Sequence, residues 1–146
     1  MNRKQFLEYM DHFNNHRWDK VVSYFCPDVT LEYPDNFMGP QVPGRTGNTL
    51  HGPEEFITNY KAIAENVREV LNLGAFISRG RELCVELITE FHVFRDPPEG
   101  SSSRWKKGDV SVMNQCVLYD LDENGKFKRI RIFHHRHLDP STVKLS

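Results

Sequence analysis

Phe25-Cys-Pro-Asp-Val-Thr-Leu-Glu-Tyr-Pro34 and His51-Gly-Pro-Glu-Glu-Phe-Ile-Thr-Asn-Tyr60 are the two stretches whose reading decides the fold. Val29 to Tyr33 reads as a strand. Pro34 to Leu50 holds Pro34, Pro40, Pro43, Gly39, Gly44 and Gly47, a density of breakers that regular structure does not tolerate. A loop of this length inside a compact domain is a functional lid or a disordered segment. A helix is expected to start at Gly52-Pro53, because proline suits the first helical turn and Glu54 and Glu55 complement the helix dipole there. Its buried stripe is Phe56, Tyr60, Ile63 and Val67.

On the N-terminal side, Phe6, Met10 and Phe13, with Leu7 and Tyr9 beside them, recur at helical spacing and predict a first amphipathic helix. Trp18, Val21, Val22 and Phe25 predict a short second helix, stopped by Pro27. On the C-terminal side come strands. One runs from Val70 to Ser78, and a long second one over 83–93 places apolar side chains at its odd positions. Asp96 to Ser103 reads as a mobile hairpin tip. Asp109 to Tyr119 and Phe127 to Arg136 form a final pair, turned at Asp122-Glu-Asn-Gly125. Helices followed by an antiparallel meander define an α+β class.

A chain of 146 residues makes one domain, spanning 1–146, with room for a core. Lys+Arg 19 against Asp+Glu 20 gives a formal net charge of −1, so no basic field points to nucleic acid or an anionic membrane. The N-terminal residues show no apolar run, so neither a signal peptide nor a membrane span is expected. Cys26, Cys84 and Cys116 are odd in number and lack metal-site spacing, which predicts reduced thiols and a cytoplasmic location.

The strand motif around Thr30-Leu-Glu-Tyr-Pro34, the His51-Gly helix start and the strands after it resemble the nuclear transport factor 2-like (cystatin-like) superfamily. Within that group the chain is most similar to the SnoaL-like polyketide and terpenoid cyclases and isomerases. The resemblance implies a cone-shaped, curved antiparallel sheet wrapped around N-terminal helices. It also implies a cofactor-independent isomerase or cyclase of natural-product biosynthesis, working by acid–base catalysis on a hydrophobic polyketide- or terpenoid-like molecule. Alternatives carried by the same fold are a dehydratase, an epoxide hydrolase, or a non-catalytic small-molecule-binding or association domain.

Matching Tyr9 to Pro34 against the ketosteroid-isomerase branch places Tyr9 on an oxyanion-binding tyrosine and Tyr60 on a tyrosine that hydrogen-bonds to it. Tyr33 and Val117 stand where that branch has its base aspartate and its protonated aspartic acid, so steroid isomerisation is not expected. Tyr9 and Tyr60 read equally well as core tyrosines. Asp35, beyond Pro34, is a candidate base or a turn former. Glu32, opposite in phase to Tyr33, should point away. Arg45 is a candidate substrate-binding cation or a solvated loop residue. His51 is a candidate proton shuttle at the pocket rim or a structural cap.

Strand alternation directs Ile130, Ile132 and His134 inward, and His135 and His137 outward, with His134 the acid–base candidate. Two outward histidines without a third ligand make no metal site. Gln115 and Val117 are expected on the pocket side, with Tyr33, Tyr60 and Tyr119 in the wall. The opposite face would carry Glu86, Ile88, Glu90, Phe94, Val112, Leu118, Arg129, Arg131 and Phe133. That mixture predicts a homodimer paired through the outer face.

Overall fold

The computed structural model describes residues 1–34, 48–101, 103 and 105–146. Helix α1 (Arg3–Asn14) opens with a capping box, in which the Asn2 side chain accepts from the Gln5 backbone and Gln5 returns a bond to Asn2. It buries Phe6, Tyr9, Met10 and Phe13. The short α2 (Trp18–Val22) follows, then β1 (Phe25–Glu32), β2 (Thr49–His51) and α3 (Gly52–Ala64). The remaining strands are β3 (Val67–Arg79), β4 (Glu82–Val93), β5 (Val110–Leu121) and β6 (Phe127–Leu138). Together the strands form one curved, open six-stranded sheet in the order β2-β1-β6-β5-β4-β3.

This is the expected α+β architecture with three local differences. First, β1 and β6 run parallel, whereas every other neighbouring pair is antiparallel. Second, β1 begins at Phe25, so Phe25 belongs to a strand and not to α2. Pro27 falls where the β1–β6 register shifts, between Phe25 and Thr30, and there its missing N–H breaks no ladder bond. Third, α3 ends at Ala64 and β3 starts at Val67. Val67 therefore belongs to the sheet, and the alternation it starts turns Glu69, Leu71 and Leu73 toward the cavity side.

Two irregularities re-aim side chains. In β6 the register passes from Gln115↔His134 to Asn114↔Arg136, leaving His135 as the extra residue of a bulge. The phase changes there, so His137, opposite Met113, shares the inner face with His134. The outward assignment of His137 is thus corrected, while His135 stays outside. In β3 a bulge between Leu73 and Phe76 contains Gly74. A Cβ there would stand 2.4 Å from Glu86 Oε2, so any larger residue would have to push that carboxylate aside.

Helix α1 is fastened to β3 by Asn14. Its Nδ2 donates to Leu71 O at 3.0 Å, and its Oδ1 accepts from Leu71 N at 2.8 Å. Both backbone groups of an edge strand are thereby satisfied.

The outer face is less open than its sequence implies. Arg129 donates to both Glu32 oxygens at 2.8 and 3.0 Å, which confirms that Glu32 points away from the cavity. Glu90 is only 1% exposed, accepting from Asn72, His92 and Ser146 as the C-terminal segment lies over it. Val112 is buried as well, and Ile88, Leu118 and Phe133 are half-buried. Of the apolar residues expected to be exposed together on this face, only Phe94 is fully so, at 46%. No described helix is long and apolar enough to cross a membrane.

Candidate active site

Between the helices and the concave side of the sheet lies a cavity of about 770 Å³. Four tyrosines shape one part of it: Tyr9 from α1, Tyr33 just beyond β1, Tyr60 from α3 and Tyr119 from β5. All four are buried. Tyr33 is held at its backbone by Asn48, which donates from Nδ2 to its carbonyl at 2.6 Å and accepts its N–H at 2.9 Å. The Tyr33 and Tyr60 hydroxyls share a 2.9 Å hydrogen bond, and Asn59, itself buried, also bonds the Tyr33 hydroxyl. The partner of Tyr60 is thus Tyr33, not the Tyr9 that the ketosteroid-isomerase likeness implies.

Glu69 faces these phenols from β3 and lines the same cavity. Burial raises its carboxyl from 4.5 to about 8. Among the described residues no hydrogen bond or ion pair engages it, and desolvation sets the direction of its shift. Burial also raises Tyr9, Tyr33, Tyr60 and Tyr119 above the ordinary phenol value, with the Glu69 charge adding to the effect on the first three. At neutral pH the cavity therefore holds neutral phenols, each able to donate, around a carboxyl poised near neutrality.

On the sheet side, Thr89 Oγ1 donates to Gln115 Oε1 at 2.7 Å, and both residues are buried. With its oxygen so occupied, the Gln115 amide keeps its N–H₂ as donors at the cavity wall. His134 and His137 complete this side. The β4–β5 connection bends over the opening, contributing Arg95, Pro97, Pro98, Glu99 and Trp105 to the lining, with Trp105 against Phe91 at 5.2 Å between ring centroids. The segment expected to be a mobile tip is part of the wall.

Of the residues chosen from sequence, Tyr9, Tyr33, Tyr60, Gln115, Tyr119 and His134 are gathered around the cavity. His51 is not. It caps α3, exposed, with its backbone N–H donating to Glu55 Oε2 at 2.7 Å, and it is absent from the lining. Asp35 and Arg45, with residues 35–47 of the expected lid, lie outside the described residues. Among the described residues, no group of three or more His, Cys, Asp or Glu is disposed to hold a metal ion.

Sequence reading missed Glu69, Asn59, Thr89 and His137. The signal for Glu69 was the period-2 series Val67, Glu69, Leu71, Leu73, obscured because Val67 also fits the helical stripe of α3.

The profile of the SnoaL-like domain matches residues 6–130. Among solved structures, a candidate polyketide cyclase from Xanthomonas campestris pv. campestris superposes with a TM-score of 0.68 at 17% identity, covering 87% of this chain and 84% of that one. TerC, co-crystallised with polyporic acid, gives 0.67 at 16% identity over 90% and 89%. A Mycobacterium tuberculosis LEH-like epoxide hydrolase gives 0.61 at 12% over 87% and 77%. At these identities the likeness is one of fold. No match was found among curated proteins. With the profile matched over most of its length, the chain belongs to the SnoaL-like domain family.

Proposed function

We propose that the protein is a cofactor-independent acid–base enzyme that isomerises or cyclises a hydrophobic, enolisable polyketide- or terpenoid-like intermediate, with Glu69 as its base. The observation that carries this reading is a carboxyl set in one cavity with four buried tyrosines, where burial raises it to about 8. A carboxylate with a raised pKa is a stronger base once ionised, and near neutral pH a useful fraction is ionised. Glu69 takes a proton from carbon next to a carbonyl. A hydroxyl of the Tyr9, Tyr33 and Tyr60 group, or the Gln115 amide, donates to the oxygen as negative charge develops. The resulting enolate is reprotonated at another carbon, giving an isomer, or attacks a second carbonyl, closing a ring. His134 and His137 stand across the cavity as partners for the return proton.

This reading places the enzyme in the cytoplasm, as a homodimer paired through the exposed parts of the outer face near Phe94 and Ile77. The test uses an enolisable aryl 1,3-diketone in deuterated water, with exchange at the central carbon followed by NMR. Wild type should accelerate exchange, and Glu69→Gln should lower the catalysed rate by about 10²–10⁴-fold. Exchange untouched by Glu69→Gln would overturn the assignment. Opening of an aryl epoxide in place of proton exchange would favour the hydrolase alternative.

A further inference from the structure

On the outer face, behind the cavity wall, Cys84 of β4 and Cys116 of β5 bring their sulfurs to 3.8 Å. Both are half-exposed thiols, and neither faces the cavity. Cys84 lies opposite Leu118 and Ile77, and Cys116 opposite Glu86 and Phe133. Ile77 is 63% exposed, so the Cys84 side of the pair opens to solvent. The third cysteine, Cys26, is buried on β1, where its thiol donates to Phe127 O at 3.1 Å.

We propose that Cys84 and Cys116 form a reversible dithiol–disulfide site, closed by exchange with a low-molecular-weight disulfide. The step balances within the thiols. Cys84 loses its proton and attacks one sulfur of the incoming disulfide, releasing a thiolate that takes up that proton. Cys116 then loses its proton, attacks the Cys84 sulfur and releases the second small thiol. Two protein S–H groups are oxidised while one small disulfide is reduced to two thiols. The opening to solvent beside Ile77 assigns the first attack to Cys84, while burial and the neighbouring Cys84 and Glu86 hold the Cys116 thiol above its usual value.

Placement in the ladder explains why the link should be reversible. The two cysteines are diagonal neighbours across β4 and β5, not directly opposed residues. Diagonal positions stand roughly 7–8 Å apart at Cα, beyond the ~4.4–6.8 Å usual for disulfides. Closing the remaining sulfur gap draws the two strands together and strains them, and strained disulfides are the readily reduced ones. The strain falls directly behind Val85, Gln115 and Val117, whose side chains lie on the cavity side of the same strands.

The full-length chain, at submicromolar concentration, is incubated with oxidised glutathione. Thiols titrated after denaturation should fall from three to one, and peptide mapping should show Cys84 linked to Cys116. Millimolar reduced glutathione should restore all three. Cys26→Ser should behave as wild type apart from its own missing thiol, whereas Cys84→Ser and Cys116→Ser should stop at a stable glutathione adduct. On oxidation the backbone amide signals of Gln115 and Val117 should shift, returning on reduction. Retention of all three thiols, accumulation of glutathione adducts on wild type, a link involving Cys26, or a link that millimolar glutathione leaves intact would each overturn the proposal.

Discussion

Glu69 costs the fold stability in a way that depends on pH. Its folded value of about 8 lies above its ordinary 4.5, so between these values the native state holds a proton that the unfolded chain releases. The cost is absent below pH 4.5, grows as pH rises from 4.5 to 8, and is complete above 8. Glu69→Gln removes the dependence and preserves the shape of the side chain. At pH 8.5 the variant should melt above wild type by at least about 4 °C, near 1 kcal/mol for a domain of this size, and at pH 4.5 the two should coincide. Equal melting differences at both pH values would show that the carboxyl is solvated. Tyr33 makes the opposite kind of contribution. Tyr33→Phe strands the buried Tyr60 hydroxyl, and urea unfolding should register a loss of about 1–3 kcal/mol, with Tyr119→Phe as a comparison that breaks no such pair.

At the scale of elements, two strands decide which residues reach the cavity. In β6, the bulge at His135 brings His137 to the inner face, so His137→Ala should lower catalysed exchange while His135→Ala leaves it unchanged; the reverse result would contradict the register. In β3, Asn14 holds Leu71 from helix α1, two residues from Glu69. Asn14→Ala should accelerate hydrogen exchange at Leu71 and cost about 1–3 kcal/mol, with unchanged protection arguing against the clamp. These two strands also mark the limits of sequence reading. β4 was legible because its odd positions, Leu83 to Val93, are apolar without exception apart from Thr89. The phase change in β6 was not, because a bulge arises from pairing with β5 and leaves no trace in His134-His-Arg-His137 itself. Glu69 was hidden by a single boundary, since Val67 satisfies the helical period and the strand period equally. The tyrosines and Gln115 were found because a burial pattern and a family likeness converged on them. His51 was misplaced because a His-Gly pair marks a helix start whether or not the ring turns inward.

For the molecule as a whole, the sheet offers two faces with separate chemistry. The inner one encloses the cavity. The outer one carries the Cys84–Cys116 pair and the exposed Ile77 and Phe94, and the C-terminal segment already covers Glu90. Pairing of two copies through the remaining outer surface should give a light-scattering mass of about twice the 17.1 kDa chain at micromolar concentration. It should also slow oxidation of the two cysteines as protein concentration rises. A monomer whose thiols react at a concentration-independent rate would contradict that assembly. If folding turns Glu69 into a base suited to neutral pH, its side-chain carboxyl carbon, followed by NMR across a pH titration of the folded protein with Glu69→Gln identifying the signal, should report it. The expected result is a midpoint of about 8; a midpoint near the ordinary value of 4.5 would contradict it.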